Sequence, residues 1–181
     1  MKYLIILLAT FSLNNAIKAQ EKSTVKVQCD KKKSTITYAM NHPLHAWTAD
    51  CNEVNGIILT DKDKNTIGQV AVMVKVSSFD SKNANRDSHT IEVVEGLKYP
   101  VISFKSTNIK QDGDKLTVTG TLKFHNVSKL ISFEATKTNN KDKIKVEGGF
   151  SIKMTEFNIE PPSLMGMATD DEIKITFDLL F

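Results

Sequence analysis

Arg86, Asp87 and His89 stand almost side by side in the stretch Asn83-Ala84-Asn85-Arg86-Asp87-Ser88-His89. Together they carry the groups of an acid–base site, because a carboxylate can fix a histidine tautomer and a guanidinium can hold an oxyanion. A hydrolase centred on them also needs a placed nucleophile. No Gly-x-Ser-x-Gly elbow occurs in the chain, and Ser81 and Ser88 stand in no nucleophile motif. The structural alternative, that Arg86 and Asp87 cap or pin a short helix with His89 hydrogen-bonded beside them, is the better supported of the two.

Metal chemistry is the second alternative. His42, His45, His89 and His125 are all the histidines present, and a zinc site draws three or four ligands together. His42 and His45 lie three apart, which on a straight strand sends them to opposite faces; a bend at Pro43 is needed to unite them. The run Asp61-Lys62-Asp63-Lys64-Asn65 opens like a calcium loop. Thr66 then occupies the position that demands glycine and Val72 the position that demands glutamate, so it reads as a solvated turn. No cofactor is expected.

The elements that must position these residues share one rhythm. Apolar residues recur at every second position, the period of a strand with one buried face. Ile36, Tyr38 and Met40 form one such set, and Val70, Val72, Val74 and Val76 another. Ile102 and Phe104 follow, then Leu116, Val118, Leu122 and Phe124, then Ile131, Phe133 and Ala135. Ile144, Val146, Phe150 and Ile152 precede a last set of Ile173, Ile175, Phe177 and Leu179. Polar, turn-forming stretches at 60–68, 111–115 and 138–143 divide these strands, and Asp112-Gly113 is the clearest hairpin signal. Only residues 82 to about 96 break the pattern, where Ala84, Ile91, Val94 and Leu97 fit a helical spacing imperfectly and Pro100 ends the helix. An all-β fold follows: an antiparallel up-and-down, lipocalin-like β-barrel of about eight strands with one short helix. A two-sheet sandwich is the alternative.

Composition narrows the partners. Residues 1–19 join Lys2, the apolar run Leu4 to Leu8 and the small residues Ala16 and Ala19, which reads as a secretory signal peptide cleaved after Ala19. The apolar run is far short of the ~20 residues of a membrane span, so no stable membrane anchor is expected. Without Lys2 and Lys18 the formal charge falls from +3 to +1, and nothing points to nucleic acid. Cys29 and Cys51 enter an oxidising compartment, where they are either bridged as a disulfide or two small buried apolar residues.

Three segments carry a family resemblance. Asn83, Arg86, Asp87 and His89 stand in an Asn-x-x-Arg-Asp-x-His segment; Lys98, Tyr99, Pro100, Phe104, Lys105 and Ser106 follow; Thr119, Gly120, Leu122, His125, Val127 and Lys129 form the third. In order and spacing they resemble the YceI-like family of exported polyisoprenoid-binding proteins, most strongly over residues 69–137. Asn126 and Ser128 stand where that family has Gly and Thr, and the segments Met40–Ile57 and Glu160–Glu172 depart further. The resemblance implies a lipocalin-like barrel over residues 20–181, located in the periplasm or secreted, holding a long-chain apolar lipid such as a polyisoprenoid or a fatty-acid derivative.

Inward phase and this implied cargo together select the expected ligand-binding residues: Ile36, Tyr38, Met40, Trp47, Val72, Val74, Phe79, Ile102, Phe104, Leu122, Phe133, Phe150, Ile152 and Phe177. Loops near 41–50 and 158–170, with Leu164, Met165 and Met167, are expected to form an adaptable apolar lid. The expected protein is a monomer or weak homodimer that binds lipid and performs no chemistry.

Overall fold

A computed structural model describes residues 24–63, 65–141 and 143–181; the expected leader at 1–19 and its cleavage point lie outside the described residues. The strands in chain order are β1 (Thr24–Gln28), β2 (Thr35–His42), β3 (His45–Cys51), β4 (Asn55–Asp61), β5 (Ile67–Lys75) and β6 (Phe79–Asp80). Helix α1 (Ala84–Val93) follows, then β7 (Val101–Asp112), β8 (Lys115–Phe124), β9 (Val127–Asn140), β10 (Lys143–Lys153), β11 (Ser163–Leu164), β12 (Met167–Ala168) and β13 (Glu172–Leu180).

One antiparallel sheet takes the order β1-β4-β5-β7-β8-β9-β10-β13-β2-β3-β6, and β11 with β12 forms a separate small hairpin. The sheet closes because its outer members belong to bent runs of continuous chain. β4 pairs with β5 while β3 pairs with β6, so residues 45–61 lie along residues 67–80 with one interruption. β1 pairs with β4 and β2 with β3 in the same way, and β13 returns to β2. Counting each bent run once gives eight neighbours in a ring, the up-and-down barrel that the alternation predicts. The sequence pattern misses β1, β3 and β4, whose short pieces are separated by Asn52, Glu53 and Val54 and by residues 29–34.

Connections alternate between two ends. At one end lie the β4–β5, β7–β8 and β9–β10 turns; at the other lie α1, the β2–β3 and β8–β9 turns and the β11–β12 hairpin. The Asp112-Gly113 turn forms as expected, with Gly113 at φ 57°. His125 and Asn126, at φ 47° and 59°, form the two-residue turn that joins β8 to β9. Asparagine tolerates this left-handed conformation, which is why it can stand where the family has Gly.

The first end is floored by side chains. Ile58, Ile67, Leu116 and Ile144 are buried there. Lys137 is inward in phase with Phe133 and Ala135, and it too is only 3% exposed. Its ammonium donates to the Asn65 carbonyl at 2.6 Å, and the Gln111 amide donates to the same oxygen at 2.7 Å. A buried cation therefore closes the turns of the floor where alternation alone predicts another apolar residue.

The two cysteines are free thiols. Cys29 Sγ donates to Ser34 Oγ at 2.9 Å, and Cys51 lies 3.1 Å from Ser78 Oγ. Burial pushes the Cys29 thiol upward. The expected alternative of two small buried residues is the one the fold shows. The reason is register: Cys29 follows β1 beside Gly56, while Cys51 pairs with Phe79.

A polar tie joins the segment after α1 to the β8–β9 turn. His125 Nε2 meets Glu95 Oε2 at 2.7 Å and His125 Nδ1 meets the Phe157 carbonyl at 2.8 Å. Tyr99 packs edge-on against the same ring. The His125 hydrogen bond first, and Lys98 second, hold the Glu95 carboxyl below the usual range. A carboxylate depressed in the folded state stabilises it fully above the unfolded value, and that contribution is lost as pH falls through the folded value. Glu95→Gln is expected to lower stability at pH 7 and to flatten its decline below about pH 4.5. Urea midpoints measured from pH 7 to pH 3 on both proteins check this, and parallel curves would refute it.

Candidate functional site

The barrel interior above the floor is a cavity of ≈ 610 Å³, within the range of small-molecule sites. All fourteen residues selected from phase line it: Ile36, Tyr38, Met40, Trp47, Val72, Val74, Phe79, Ile102, Phe104, Leu122, Phe133, Phe150, Ile152 and Phe177. Every one lies on a strand, so a rigid sheet sets its direction. Phe133 is the hub of the walls, 5.4 Å from Phe104, 5.0 Å from Phe150 in a stacked contact and 5.6 Å from Phe177 edge-on. Such ring pairs attract one another and make one continuous apolar surface across β7, β9, β10 and β13.

Polar groups gather at the end carrying α1. Arg86, His89, Thr90 and Val93 line the cavity at spacings of three, four and seven residues, so one face of the helix looks inward. The apolar spacing expected over 82–96 is only partly realised: Val94 is buried, whereas Leu97 lies beyond the helix and is 93% exposed. Asn83 caps the helix by accepting from the Arg86 backbone N–H at 3.1 Å. Asp87 Oδ1 accepts from the Ser81 backbone N–H at 3.0 Å, which pins the first turn to the chain leaving β6.

The Arg86, Asp87 and His89 side chains therefore part company. Asp87 turns to Ser81, His89 lies 3.4 Å from Glu92 at the exposed rim of the inward face, and the Arg86 guanidinium sits 5.4 Å over the Trp47 ring. A carboxylate–histidine relay needs Asp87 on His89, and each has another partner. The structural reading of Asp87 as a pin holds. Arg86 differs from expectation, since its side chain faces an indole at the cavity instead of bracing the helix.

His42 and His45 are brought together, contrary to the straight-strand expectation, because they pair directly across the two-residue β2–β3 turn at Pro43 and Leu44. Their rings are 5.5 Å apart and both line the cavity. His42 Nδ1 accepts from the Leu44 N–H, and its Nε2 meets the Met167 carbonyl at 3.0 Å. Both nitrogens are thus engaged within the protein, and no group of three or more candidate metal ligands converges among the described residues.

The two expected lid segments meet at this end. The Asn41 side chain donates to Asp170 at 2.9 Å, and the Asp170 backbone N–H donates to the Asn41 carbonyl at 2.9 Å. Residues 45–50 are strand, so only the turn at Pro43 and Leu44 is loop. The β11–β12 hairpin carries Leu164 into the cavity lining and leaves Met165 82% exposed at its tip. Thr90 and Thr169, unremarked in the sequence, also line the mouth. Helical periodicity through Arg86 would have found Thr90; Thr169 lies in the connection between β12 and β13 and carries no local signal.

The fold and this cavity define a class: a small closed β-barrel whose apolar interior is shaped to hold a molecule. The model of the YceI-like domain family matches residues 27–181, and the chain belongs to that family. Protein YceI of Escherichia coli O157:H7 is 26% identical over 159 residues, covering 83% of this chain and 81% of that protein. The YceI protein of Salmonella newport is 25% identical over 158 residues, covering 82% and 81%. Among solved structures, Burkholderia cenocepacia BcnA superposes with a TM-score of 0.75 at 20% identity, covering 84% of this chain and 99% of that one. A polyisoprenoid binding domain from Saccharophagus degradans superposes with a TM-score of 0.71 at 16% identity, covering 84% and 95%.

Proposed function

We propose that this is an exported binding protein that holds one long apolar lipid inside the barrel and leaves it chemically unchanged. The observation that carries this is the ≈ 610 Å³ cavity walled by Val, Ile, Leu and Phe side chains on strands. Burying an alkyl chain stabilises a complex by about 0.8 kcal/mol per CH₂, so one isoprene unit contributes roughly 3 to 4 kcal/mol before the costs of ordering. A few such units give useful affinity without an ion pair. The Saccharophagus degradans neighbour, described as polyisoprenoid binding, supports a polyisoprenoid or similar chain as the cargo. The apolar leader at 1–19 supports release into the periplasm or outside the cell, where the barrel acts as a monomer or a weak homodimer.

Organic extraction of the purified protein, followed by mass spectrometry, tests the reading. A co-purified long-chain lipid near one per barrel is expected. Protein that stays empty, and takes up no chain when offered one, would refute it.

A further inference from the structure

Two buried side-chain atoms among the described residues have no hydrogen-bond partner, Trp47 Nε1 and Thr169 Oγ1. Both belong to residues that line the cavity. They also share its mouth, since Trp47 pairs with Met40 near the end of β2, and Asp170, next to Thr169, is bonded to Asn41. A buried donor is costly to leave unmade, so a pair of them at one end of an apolar cavity marks where a ligand's polar group belongs.

The fixed side-chain charge of the lining is the Arg86 guanidinium. Apart from Tyr38, the ionisable residues of the lining are His42, His45, Arg86 and His89, and it contains no Asp, Glu or Lys. The Arg86 guanidinium lies over the Trp47 ring and makes no ion pair among the described residues. The acidic side chains near the mouth have partners of their own: Asp87 the Ser81 N–H, Asp170 the Asn41 amide and Glu92 the His89 ring. The first turn of α1, whose N–H groups carry a partial positive charge, adds Asn83, Asn85 and Arg86 to the lining. Guanidinium and indole N–H can only donate, so their common partner must accept.

We infer that the mouth is a headgroup site: Arg86, Trp47 and Thr169 take an anionic acceptor group, a carboxylate or a phosphate, while the attached chain fills the barrel. This rests on the lipid-holding reading and narrows its cargo to an anionic amphiphile. The guanidinium supplies the charge-assisted bonds, and the indole and hydroxyl complete the collar.

Trp47 is the only tryptophan in the chain, so its fluorescence reports the site directly. Hexadecanoate, hexadecyl phosphate and hexadecanol are titrated into the protein and into Arg86→Gln, with folding checked by circular dichroism. At least one of the two anions is expected to bind about tenfold or more tighter than hexadecanol, as charge-assisted hydrogen bonds imply. Arg86→Gln is expected to remove most of that difference, weakening the tighter anion about tenfold and hexadecanol by far less; the tighter anion identifies carboxylate or phosphate. Trp47→Phe, followed by calorimetry, keeps the ring but removes the donor, and is expected to weaken the anion selectively. Hexadecanol binding as tightly as both anions, or Arg86→Gln weakening all three alike, would overturn the headgroup site while leaving the lipid reading standing. Binding of none of the three would overturn both.

Discussion

Val72→Trp is expected to empty the barrel while leaving it folded. Val72 sits in the middle of β5, paired with Phe104 on β7, and its half-buried side chain faces the cavity. Adding an indole to a packed core ordinarily forces off-rotamer side chains and costs about 1–3 kcal/mol. Here the added ring points into open apolar volume, so the strain is smaller and the new burial offsets part of it. What the ring displaces is chain: each isoprene unit excluded removes roughly 3 to 4 kcal/mol of burial, which is two decades or more in affinity. Lipid extracted per mole of protein is expected to fall about tenfold or more, with the thermal midpoint little changed. An unchanged lipid load in a folded variant would mean that the cargo lies outside the barrel.

The walls of this site were legible in the sequence because period-2 alternation is enforced wherever one strand face is buried. The twelve selected residues that belong to alternating sets lie on the cavity side for that reason; Trp47 and Phe79, outside those sets, line it as well. The phase slips twice: at the irregularity between Ser106 and Asn108, after which Ile109 replaces the even positions on the inner face of β7, and at the irregularity opposite Leu59 and Thr60, where Ile67 and then Val70 face inward on β5. The selected residues of β7 all precede the first irregularity and those of β5 all follow the second, so neither slip moves one to the outer face.

The mouth was far less legible. Arg86 and His89 stood out by type, yet their partners are set by contacts across long separations: Arg86 with Trp47, His125 with Glu95, Asn41 with Asp170. Local spacing carries no trace of such pairs. Lys137 shows the same limit at the floor, since its inward phase contradicts its residue type and only the fold places the Asn65 carbonyl within its reach. A barrel of this kind divides its information: periodicity writes the apolar interior, and loop geometry writes the polar ends. Ligand class depends on the first, and ligand specificity on the second.

Gly120→Ala is expected to be among the most damaging single-methyl changes in the chain, and the reason joins fold to site. Gly120 occupies an inward position of β8 between Val118 and Leu122, where the absence of a side chain admits its neighbours on β7. A Cβ there would lie 2.5 Å from the Lys105 carbonyl oxygen, 2.5 Å from the Phe104 ring and 2.7 Å from Ser106 Cα. Two of these three are backbone atoms beside the β7 irregularity, so rotating one side chain cannot relieve the clash. Overpacking of this kind costs about 1–3 kcal/mol or more, which for a domain of this size lowers the melting temperature by about 2–4 °C per kcal/mol. Gly113→Ala is the control, since its Cβ meets nothing within 4 Å and only its φ of 57° opposes the change, a penalty of about 1–2 kcal/mol. Combining Gly120→Ala with Phe104→Ala separates the two sources of strain. If the backbone contacts dominate, the double variant stays as unstable as the two separate losses imply; if the ring dominates, part of the loss returns as a favourable coupling. In the first case β7 must shift, carrying Phe104 against Phe133 and narrowing the cavity, so the surviving folded protein is expected to carry less lipid than the Gly113→Ala control. A Gly120→Ala protein with unchanged melting temperature and full lipid load would show that this close approach of β7 to β8 is not required.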